Sequence, residues 1–164
     1  MKILALDSSG LVASVAVVEN DTLLAEYTVN YKKTHSQTLL PMLDEISNMT
    51  ELDLSTIDAI AVAGGPGSFT GLRIGSATAK GLGLALEKPL ISIPTTAAIA
   101  YNIWDTDKFV CPIMDARRNQ VYTGVYCYTD HRLDTVWEQD TMSIEALAEG
   151  LNCLDHEVIF LGDG

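Results

Sequence analysis

The sequence predicts an α/β fold in which one arrangement of strands and helices occurs twice. Three observations predict it. The strand-like and helical segments of residues 1–104 follow the order βββαβαβα, the same order restarts after a short polar break, and the first strand of each copy ends on an aspartate, Asp7 or Asp115. This order is that of the ribonuclease-H-like fold, the type shared by actin, Hsp70 and the sugar kinases. We therefore predict a first lobe at 1–104 and a second lobe at 105–164.

The first lobe is predicted to begin with a three-stranded meander and to continue with alternating helices and strands. Apolar residues recur at helical spacing between Thr34 and Thr50, where Thr34 is the predicted N-cap and Pro41 marks a bend. Ser68 is the predicted N-cap of the second helix. In chain order the predicted elements are strands at 2–7, 11–19 and 22–29, a helix at 34–50, a strand at 58–65, a helix at 69–86, a strand at 90–93 and a helix at 95–104.

The second lobe repeats this pattern and then stops. The last strand matches AIAVAGG of the first lobe in its position and in its glycine ending. Because the first lobe goes on with a helix, a strand and a helix, we expect the sequence to be a truncated form whose second lobe is incomplete. The predicted elements are strands at 109–115, 120–128 and 133–139, a helix at 143–149 and a strand at 157–164.

Composition and charge narrow the classes of function. The chain has 164 residues with 22 acidic and 10 basic side chains, and its net charge of -12 repels a nucleic-acid backbone. Its three cysteines have neither zinc-site nor disulfide spacing, its N-terminus does not read as a signal peptide, and no apolar run reaches membrane length. We expect a cytoplasmic protein that does not bind RNA or DNA by itself.

The glycine-rich segment GGPGSFTGLRIG raises the question of a phosphate site. It lacks the lysine of a P-loop, the glycine pattern of a Rossmann turn and the glycine that a hydrolase elbow needs at Pro66. A strand-to-helix turn remains, whose free N–H groups could bind an anion or could serve the structure alone. Together with the turns after the two aspartates it resembles the phosphate loops of an actin-like ATPase in degenerate form. The residues of these degenerate loops are Asp7, Ser8, Gly65, Gly67, Ser68 and Asp115.

No catalytic or metal-ligating residue is predicted. A ribonuclease-H nuclease needs a carboxylate at the end of the fourth strand, where this sequence has Gly64 and Gly65. His35 is the one histidine of the first lobe, and its place on the apolar arc of the first helix favours packing or a partner contact over metal binding.

The two long helices of the first lobe offer more apolar surface than one small domain needs. The first helix has an apolar arc of roughly 180°, wider than the ~100° that covers one core. On the second helix, Gly71, Gly75, Ala79 and Gly83 recur at steps of four and form a smooth ridge, although each mid-helix glycine costs about 1 kcal/mol relative to alanine. Apart from a narrow polar stripe, this helix is predicted to be buried on most sides. The pattern favours a subunit interface built from both helices, and internal packing is the alternative.

Four segments, ILALDSS, HSQTLLPML, GGPGSFTGLRIG and DARRNQVY, occur in the order and spacing of the TsaB (YeaZ) family of bacterial tRNA threonylcarbamoyladenosine biosynthesis proteins, which the whole chain resembles. The resemblance implies a fold of the actin, Hsp70 and sugar-kinase type that has lost its own catalysis. It implies a scaffold for the paralogue TsaD, which transfers threonylcarbamoyl to the adenosine next to the anticodon of tRNAs, and the small ATPase TsaE completes that assembly. It also implies a homodimer in isolation, contact with tRNA only through partners, and no cofactor of its own. Whether ATP or ADP sits at the interface of the complex stays open.

The resemblance further implies which surface binds TsaD or a second copy. The catalytic paralogue holds its metal with a histidine pair on one helix, whereas Leu39 stands four residues after His35 here, so metal-dependent transfer is not implied. The implied partner-interface residues, with Ala79 added from the ridge, are His35, Leu39, Leu43, Ile46, Gly71, Arg73, Gly75, Ala79 and Lys80.

Two other functions stay open on the sequence alone. The duplicated order of elements and the pair Asp7 and Asp115 also suit an independent ATP-dependent phosphotransferase of the sugar-kinase type. A peptidase is the weaker alternative, because the sequence has neither a zinc-protease HEXXH motif nor a nucleophile with a nearby base.

Overall fold

The computed structural model describes residues 1–31 and 35–164 and divides into two compact units, Met1–Ile93 (unit 1) and Pro94–Gly164 (unit 2). The predicted N-cap Thr34 lies outside the described residues. The division falls before the boundary predicted between residues 104 and 105, because the helix that follows Ile93 contacts the strands of unit 2. Among the residues described, no helix is both long enough and apolar enough to cross a membrane.

Unit 1 combines a five-stranded mixed sheet with two helices. Its elements are β1 (Lys2–Asp7), β2 (Ala13–Glu19), β3 (Thr22–Val29), α1 (His35–Thr50), a 3-10 turn (Leu54–Thr56), β4 (Ala59–Gly65), α2 (Phe69–Leu86) and β5 (Leu90–Pro94). The strands lie in the order β3-β2-β1-β4-β5. β1 pairs antiparallel with β2 and parallel with β4, so the ends of β1 and β4 that precede the two glycine- and serine-rich turns lie side by side.

Alternation of apolar residues gives this sheet one buried face. In β2, Ala13, Val15 and Val17 are buried, while the residues between them are half-buried. The buried face packs against α1 and α2, and each fully buried valine, leucine or isoleucine contributes about 1.5–3 kcal/mol to stability relative to an exposed one. The buried residues of α1 are Leu39, Met42, Leu43 and Ile46.

Unit 2 repeats the strand order of unit 1. Its elements are α3 (Thr95–Ala100), β6 (Phe109–Arg117), β7 (Gln120–Thr129), β8 (Arg132–Ser143), α4 (Ile144–Asn152) and β9 (Val158–Gly162). β6 pairs antiparallel with β7 and parallel with β9, and β7 pairs antiparallel with β8. The order β8-β7-β6-β9 therefore corresponds to β3-β2-β1-β4, and the predicted duplication is confirmed.

Two helices belong to unit 2. α4 begins at a serine cap, because Oγ of Ser143 accepts the N–H of Ala146 at 3.2 Å. α3 carries Ala100 into a small core with Val110 and Tyr126.

The bounds of several elements differ from the prediction. In unit 2, β6, β8 and α4 run on to Arg117, Ser143 and Asn152, beyond the predicted ends at 115, 139 and 149. Two other differences have local physical reasons. β2 begins at Ala13, because Leu11 lies in the preceding turn with 83% of its surface exposed. α3 ends at Ala100, because the N–H groups of Asn102 and Ile103 bond to carbonyls three residues back, which tightens the chain out of α-helical geometry. The predicted order of elements is otherwise confirmed, and α2 runs over the predicted residues 69–86.

Candidate functional site

In each unit an aspartate at or near the end of the first strand closes the following turn: Asp7 ends β1, and Asp115 lies two residues before the end of β6. Asp7 accepts the N–H of Ser9 at 2.7 Å, and Asp115 accepts the N–H of Arg117 at 2.6 Å. Both carboxylates thus bond to the backbone two residues further on, in the same place of the repeated fold. The predicted equivalence of Asp7 and Asp115 extends to the individual hydrogen bond.

In unit 1 the turn after β1 packs directly onto the glycine-rich turn before α2. The N–H of Ser68 donates to the carbonyl of Ser9 at 2.6 Å, and Oγ of Ser8 donates to the carbonyl of Gly71 at 2.9 Å. A Cβ added at Gly67 would lie closer than 2.5 Å to the Ser9 carbonyl oxygen. The backbone of the Ser8–Ser9 turn therefore lies directly against the glycine-rich turn.

Two of the N–H groups at the start of α2 already have partners. The Ser68 N–H is bonded to Ser9, and Oγ of Ser68 accepts the N–H of Gly71 at 3.3 Å, which confirms the predicted cap. A phosphate at a helix N-terminus needs such groups to be free. The geometry favours the structural interpretation of this glycine-rich turn over the anion site.

The glycine ridge of α2 faces inward, as the internal-packing alternative predicts, and a partner contact at the ridge stays a prediction. A Cβ at Gly71 would lie closer than 2.5 Å to the Ser8 carbonyl oxygen, and one at Gly75 would lie 2.5 Å from Oγ of Ser8. A Cβ at Gly83 would lie 2.8 Å from the side chain of Leu90. Contact with the unit's own β1–β2 turn and β5 requires the small residues. The buried residues of α2 are Gly71, Gly75, Ala79 and Gly83.

The remaining predicted interface residues divide into buried and exposed groups. Leu39, Leu43 and Ile46 are less than 5% exposed and belong to the core of unit 1, so they cannot touch a partner in this conformation. Arg73 and Lys80 lie exposed on α2. Of the predicted surface, these two cations remain accessible.

His35 is held inside unit 1 by a polar and a steric contact. Its Nε2 lies 3.0 Å from the carbonyl of Gly10, to which it donates a hydrogen bond. Its ring carbon Cδ2 lies 3.3 Å from the point where a Cβ at Gly71 would stand. The half-buried ring therefore packs between the β1–β2 turn and α2, as the packing alternative predicts.

The outer sides of α1 and α2 carry exposed apolar residues that were not singled out from the sequence. On α2, Leu84 is 84% exposed and Phe69 is 74% exposed, and on α1 Leu40 is 51% exposed. The prediction that α2 is buried on most sides is therefore wrong. On a helical wheel with 100° per residue, Leu84 stands opposite Gly75. The exposure of Leu84 therefore follows from the wheel once Gly75 is known to face the interior of unit 1.

A second carboxylate lies beside Asp115 in unit 2. The N–H of Asp115 donates to Oδ1 of Asp163 at 3.4 Å, at the ends of the paired strands β6 and β9. Sequence reasoning did not single out Asp163, although it follows the glycine that ends β9 as Pro66 follows Gly65 in unit 1. Within residues 1–31 and 35–164, no group of three or more histidine, cysteine, aspartate or glutamate side chains is placed to hold a metal ion.

The buried titratable groups of unit 2 stay protonated. Burial raises the pKa of the Cys111 thiol, and the hydrogen bond with Thr123 at 3.3 Å only partly opposes this effect. Burial likewise raises the pKa of Tyr126, whose hydroxyl pairs with Thr96 at 2.7 Å. Neither group supplies a nucleophile or a general base at neutral pH.

A protein-family model and two relatives match most of this chain in sequence. The family model described as TsaD, tRNA N6-adenosine threonylcarbamoyltransferase, matches residues 22–158. A TsaB protein from Bacillus subtilis is 37% identical over 162 residues, which cover 99% of this chain and 71% of the relative. A TsaB protein from Escherichia coli is 32% identical and is covered over 72% of its length by the whole of this chain. Both relatives are named tRNA threonylcarbamoyladenosine biosynthesis protein.

Two solved structures of other proteins share the fold of this chain. YeaZ from Pseudomonas aeruginosa is 31% identical with a TM-score of 0.79, and the match covers 88% of this chain and 68% of that one. The ethanolamine utilization protein EutJ from Carboxydothermus hydrogenoformans is 11% identical with a TM-score of 0.54, covering 94% of this chain and 56% of that one. The second comparison concerns the fold alone.

The repeated βββαβ order, the paired aspartate turns and these neighbours define an α/β protein of the actin, Hsp70 and sugar-kinase class. The two TsaB relatives are each more than 30% identical and are matched over more than two thirds of their length. The chain belongs to the TsaB (YeaZ) family of tRNA threonylcarbamoyladenosine biosynthesis proteins.

Proposed function

We propose that this chain is a non-catalytic scaffold subunit for threonylcarbamoyl addition to the adenosine next to the anticodon, and that it binds a TsaD-like catalytic paralogue. The observation that carries the proposal is the apolar surface on the outer sides of α1 and α2, where Leu40, Phe69 and Leu84 are exposed. Burial of apolar surface against a partner stabilises the complex by about 25 cal/mol per Å² of that surface. Helices of a partner with the same fold can pack against such a surface with their side-chain ridges in its grooves.

The close contact between the turns after β1 and β4 in unit 1 supports a role without catalysis. A phosphotransferase of the sugar-kinase type needs room for phosphate at the turns after β1 and β4, and the carbonyl of Ser9 bonds to Ser68 there. The inward-facing Gly67 and Gly71 leave no gap that a small movement of one side chain would open. These contacts favour the scaffold over the independent phosphotransferase.

The charges on the same two helices fit association between like folds. Asp44 and Glu45 lie exposed on α1, and Arg73 and Lys80 lie exposed on α2. A partner helix pair placed antiparallel across this surface would set acids against bases, in a homodimer of this chain or in a complex with a TsaD-like protein. A TsaE-like ATPase, with ATP or ADP at the interface of the complex, is part of the same proposal.

The net charge of -12 fits a scaffold that touches tRNA only through its cytoplasmic partners. A chain with this balance repels the phosphate backbone over most of its surface. The scaffold therefore contributes position and stability to the complex, and the basic surface for tRNA belongs to the other subunits.

Co-elution with a purified TsaD-like paralogue tests the proposal. The double variant Leu40→Glu, Leu84→Glu places two charges on the apolar surface without touching the core, and we expect at least about a 100-fold weaker complex. Ile144→Glu is the matched control, because Ile144 is 47% exposed in unit 2 and begins a helix, where glutamate is favourable. Equal co-elution of wild type and double variant, or no co-elution of the wild type, would overturn the proposal. A variant at Gly75 would not test partner binding, because any side chain there disturbs the packing of α2 on Ser8.

A further inference from the structure

A groove of about 690 Å³ runs along one side of α2 in unit 1, with β4 and β5 as its floor. Leu72 and Ser76 line it from the helix, and Leu90 and Ser92 line it from β5. Arg73 and Lys80 stand at its helical wall. Its volume lies within the range of roughly 300–1,000 Å³ that ligand-binding clefts occupy.

The floor of this groove ends in an open sheet edge. β5 is the last strand in the order β3-β2-β1-β4-β5, and its residues Leu90 and Ile91 are 41% and 37% exposed. An edge strand presents a row of unpaired N–H and C=O groups, and proteins block such an edge with charges, bulges, prolines or short strands. β5 is short and has its one proline, Pro94, at its end. The opposite edge strand β3 has a charge and a bulge, because Glu26 lies exposed on it and its pairing with β2 shifts register. The segment LISIP of β5 has no charged residue.

The groove is positively charged in a chain that is strongly negative. Arg73 and Lys80 are two helical turns apart, about 10 Å along the helix axis. Within the described part of the chain neither takes part in an ion pair, and Arg73 lies over the ring of Phe69 at 5.4 Å from its centroid. No acidic side chain is among the described residues that line the groove, whereas the whole chain carries a net charge of -12.

We propose that the β5 edge binds an extended acidic segment of a partner polypeptide, which adds a strand beside β5 and directs its carboxylates to Arg73 and Lys80. Alternate side chains of an added strand point to the same face, so acidic residues at every second position reach the helical wall. A second copy of this chain fits less well, because pairing β5 with β5 would bring two sets of these cations together. The inference goes beyond the scaffold role. It shares Arg73 and Lys80 with the proposed partner surface, and it adds the β5 edge, which that surface does not use.

Peptide binding to the purified chain, measured by fluorescence anisotropy at low ionic strength, tests this inference. The probe is a short labelled peptide of alternating valine and glutamate, and its controls are the same peptide with lysine for glutamate and the same peptide N-methylated at alternate residues. We expect the acidic peptide to bind, the lysine peptide not to bind, and N-methylation to abolish binding because it removes the main-chain donors. The double variant Arg73→Glu, Lys80→Glu should weaken binding about 10-fold or more.

The matched control is Arg118→Glu, Arg132→Glu, which makes the same change of net charge at exposed positions of unit 2 and should leave binding unchanged. Amide shifts of residues 90–93 in an NMR titration of the wild type locate the peptide without any variant. No binding of the acidic peptide, equal binding by both double variants, equal binding of the N-methylated peptide, or shifts elsewhere than β5 would each overturn the inference. No TsaD-like protein is present in this assay, so its outcome is separate from that of the co-elution.

Discussion

Replacing Gly71 with alanine should destabilise the protein, although the same change normally stabilises a helix. Gly71 lies in the first turns of α2 and faces the β1–β2 turn. A Cβ there would lie closer than 2.5 Å to the carbonyl oxygen of Ser8 and 3.3 Å from the ring of His35. The clashing atom belongs to the backbone, so no rotation of a side chain relieves the contact. The helix or the turn must move by at least 0.5 Å to restore 3.0 Å.

The expected magnitude follows from three contributions. Alanine in place of a helical glycine gains up to about 1 kcal/mol. Overpacking of a closed site costs about 1–3 kcal/mol. The movement also strains the hydrogen bonds from Ser8 to Gly71 and from Ser68 to Ser9, which contribute about 0.5–1.5 kcal/mol each. We expect a net loss of about 2–4 kcal/mol, which lowers the midpoint of thermal unfolding by several degrees.

Gly81→Ala in the same helix is the matched control. Gly81 is exposed and a Cβ there meets nothing within 4 Å, so this variant should be more stable than wild type by up to about 1 kcal/mol. Urea unfolding followed by far-UV circular dichroism measures both free energies. If Gly71→Ala proved as stable as Gly81→Ala, the inward direction of the ridge and the tight packing of α2 on the turn would be wrong.

Three further predictions concern other parts of the chain. Asp21 ends a two-residue hairpin turn with φ 67°, so Asp21→Gly should raise the free energy of unfolding by about 0.5–1 kcal/mol in urea titrations, and a loss of stability would contradict the turn geometry. Ser68→Ala removes the cap of α2 and should lower that free energy by about 1 kcal/mol, whereas an unchanged value would mean that the 3.3 Å bond to Gly71 contributes nothing. Burial raises the pKa of Cys111, so at pH 8 a thiol reagent should modify exposed Cys153 at least about 10-fold faster than Cys111 in the native protein, and equal rates by peptide mass mapping would refute the buried position.

Local patterns were enough to predict most of the fold. The bounds of α2 follow from a serine cap and from glycine and alanine at steps of four, and both signals are contained in a short stretch of sequence. The duplication follows from two aspartates at the ends of equivalent predicted strands, because the same Asx turn recurs in each unit. Local patterns predict α3 in the first lobe, because the contacts that attach it to β6 and β7 are not local in sequence.

The candidate site was harder to predict, because periodicity shows which residues share a face but not what lies opposite it. The ridge of Gly71 and Gly75 is a real feature of α2, yet the atoms that require it belong to Ser8, more than 60 residues away in the chain. The sequence predicts that the apolar arc of α1 is too wide for one core, whereas Leu39 and Ile46 both pack in the core of unit 1 and Leu40 is exposed. The accessible surface therefore had to be read from the three-dimensional arrangement.

The inward direction of the small residues of α2 has a consequence for evolution and for protein engineering. Residues that the fold fixes and residues that face solvent lie on opposite sides of one helix, so changes on the two sides should combine additively. A lineage can therefore alter Arg73, Lys80 or Leu84 and exchange one binding specificity for another without loss of foldability. Replacing both cations with acidic residues, and the matching acidic residues of a partner with basic ones, would give two proteins that bind each other but not the natural proteins.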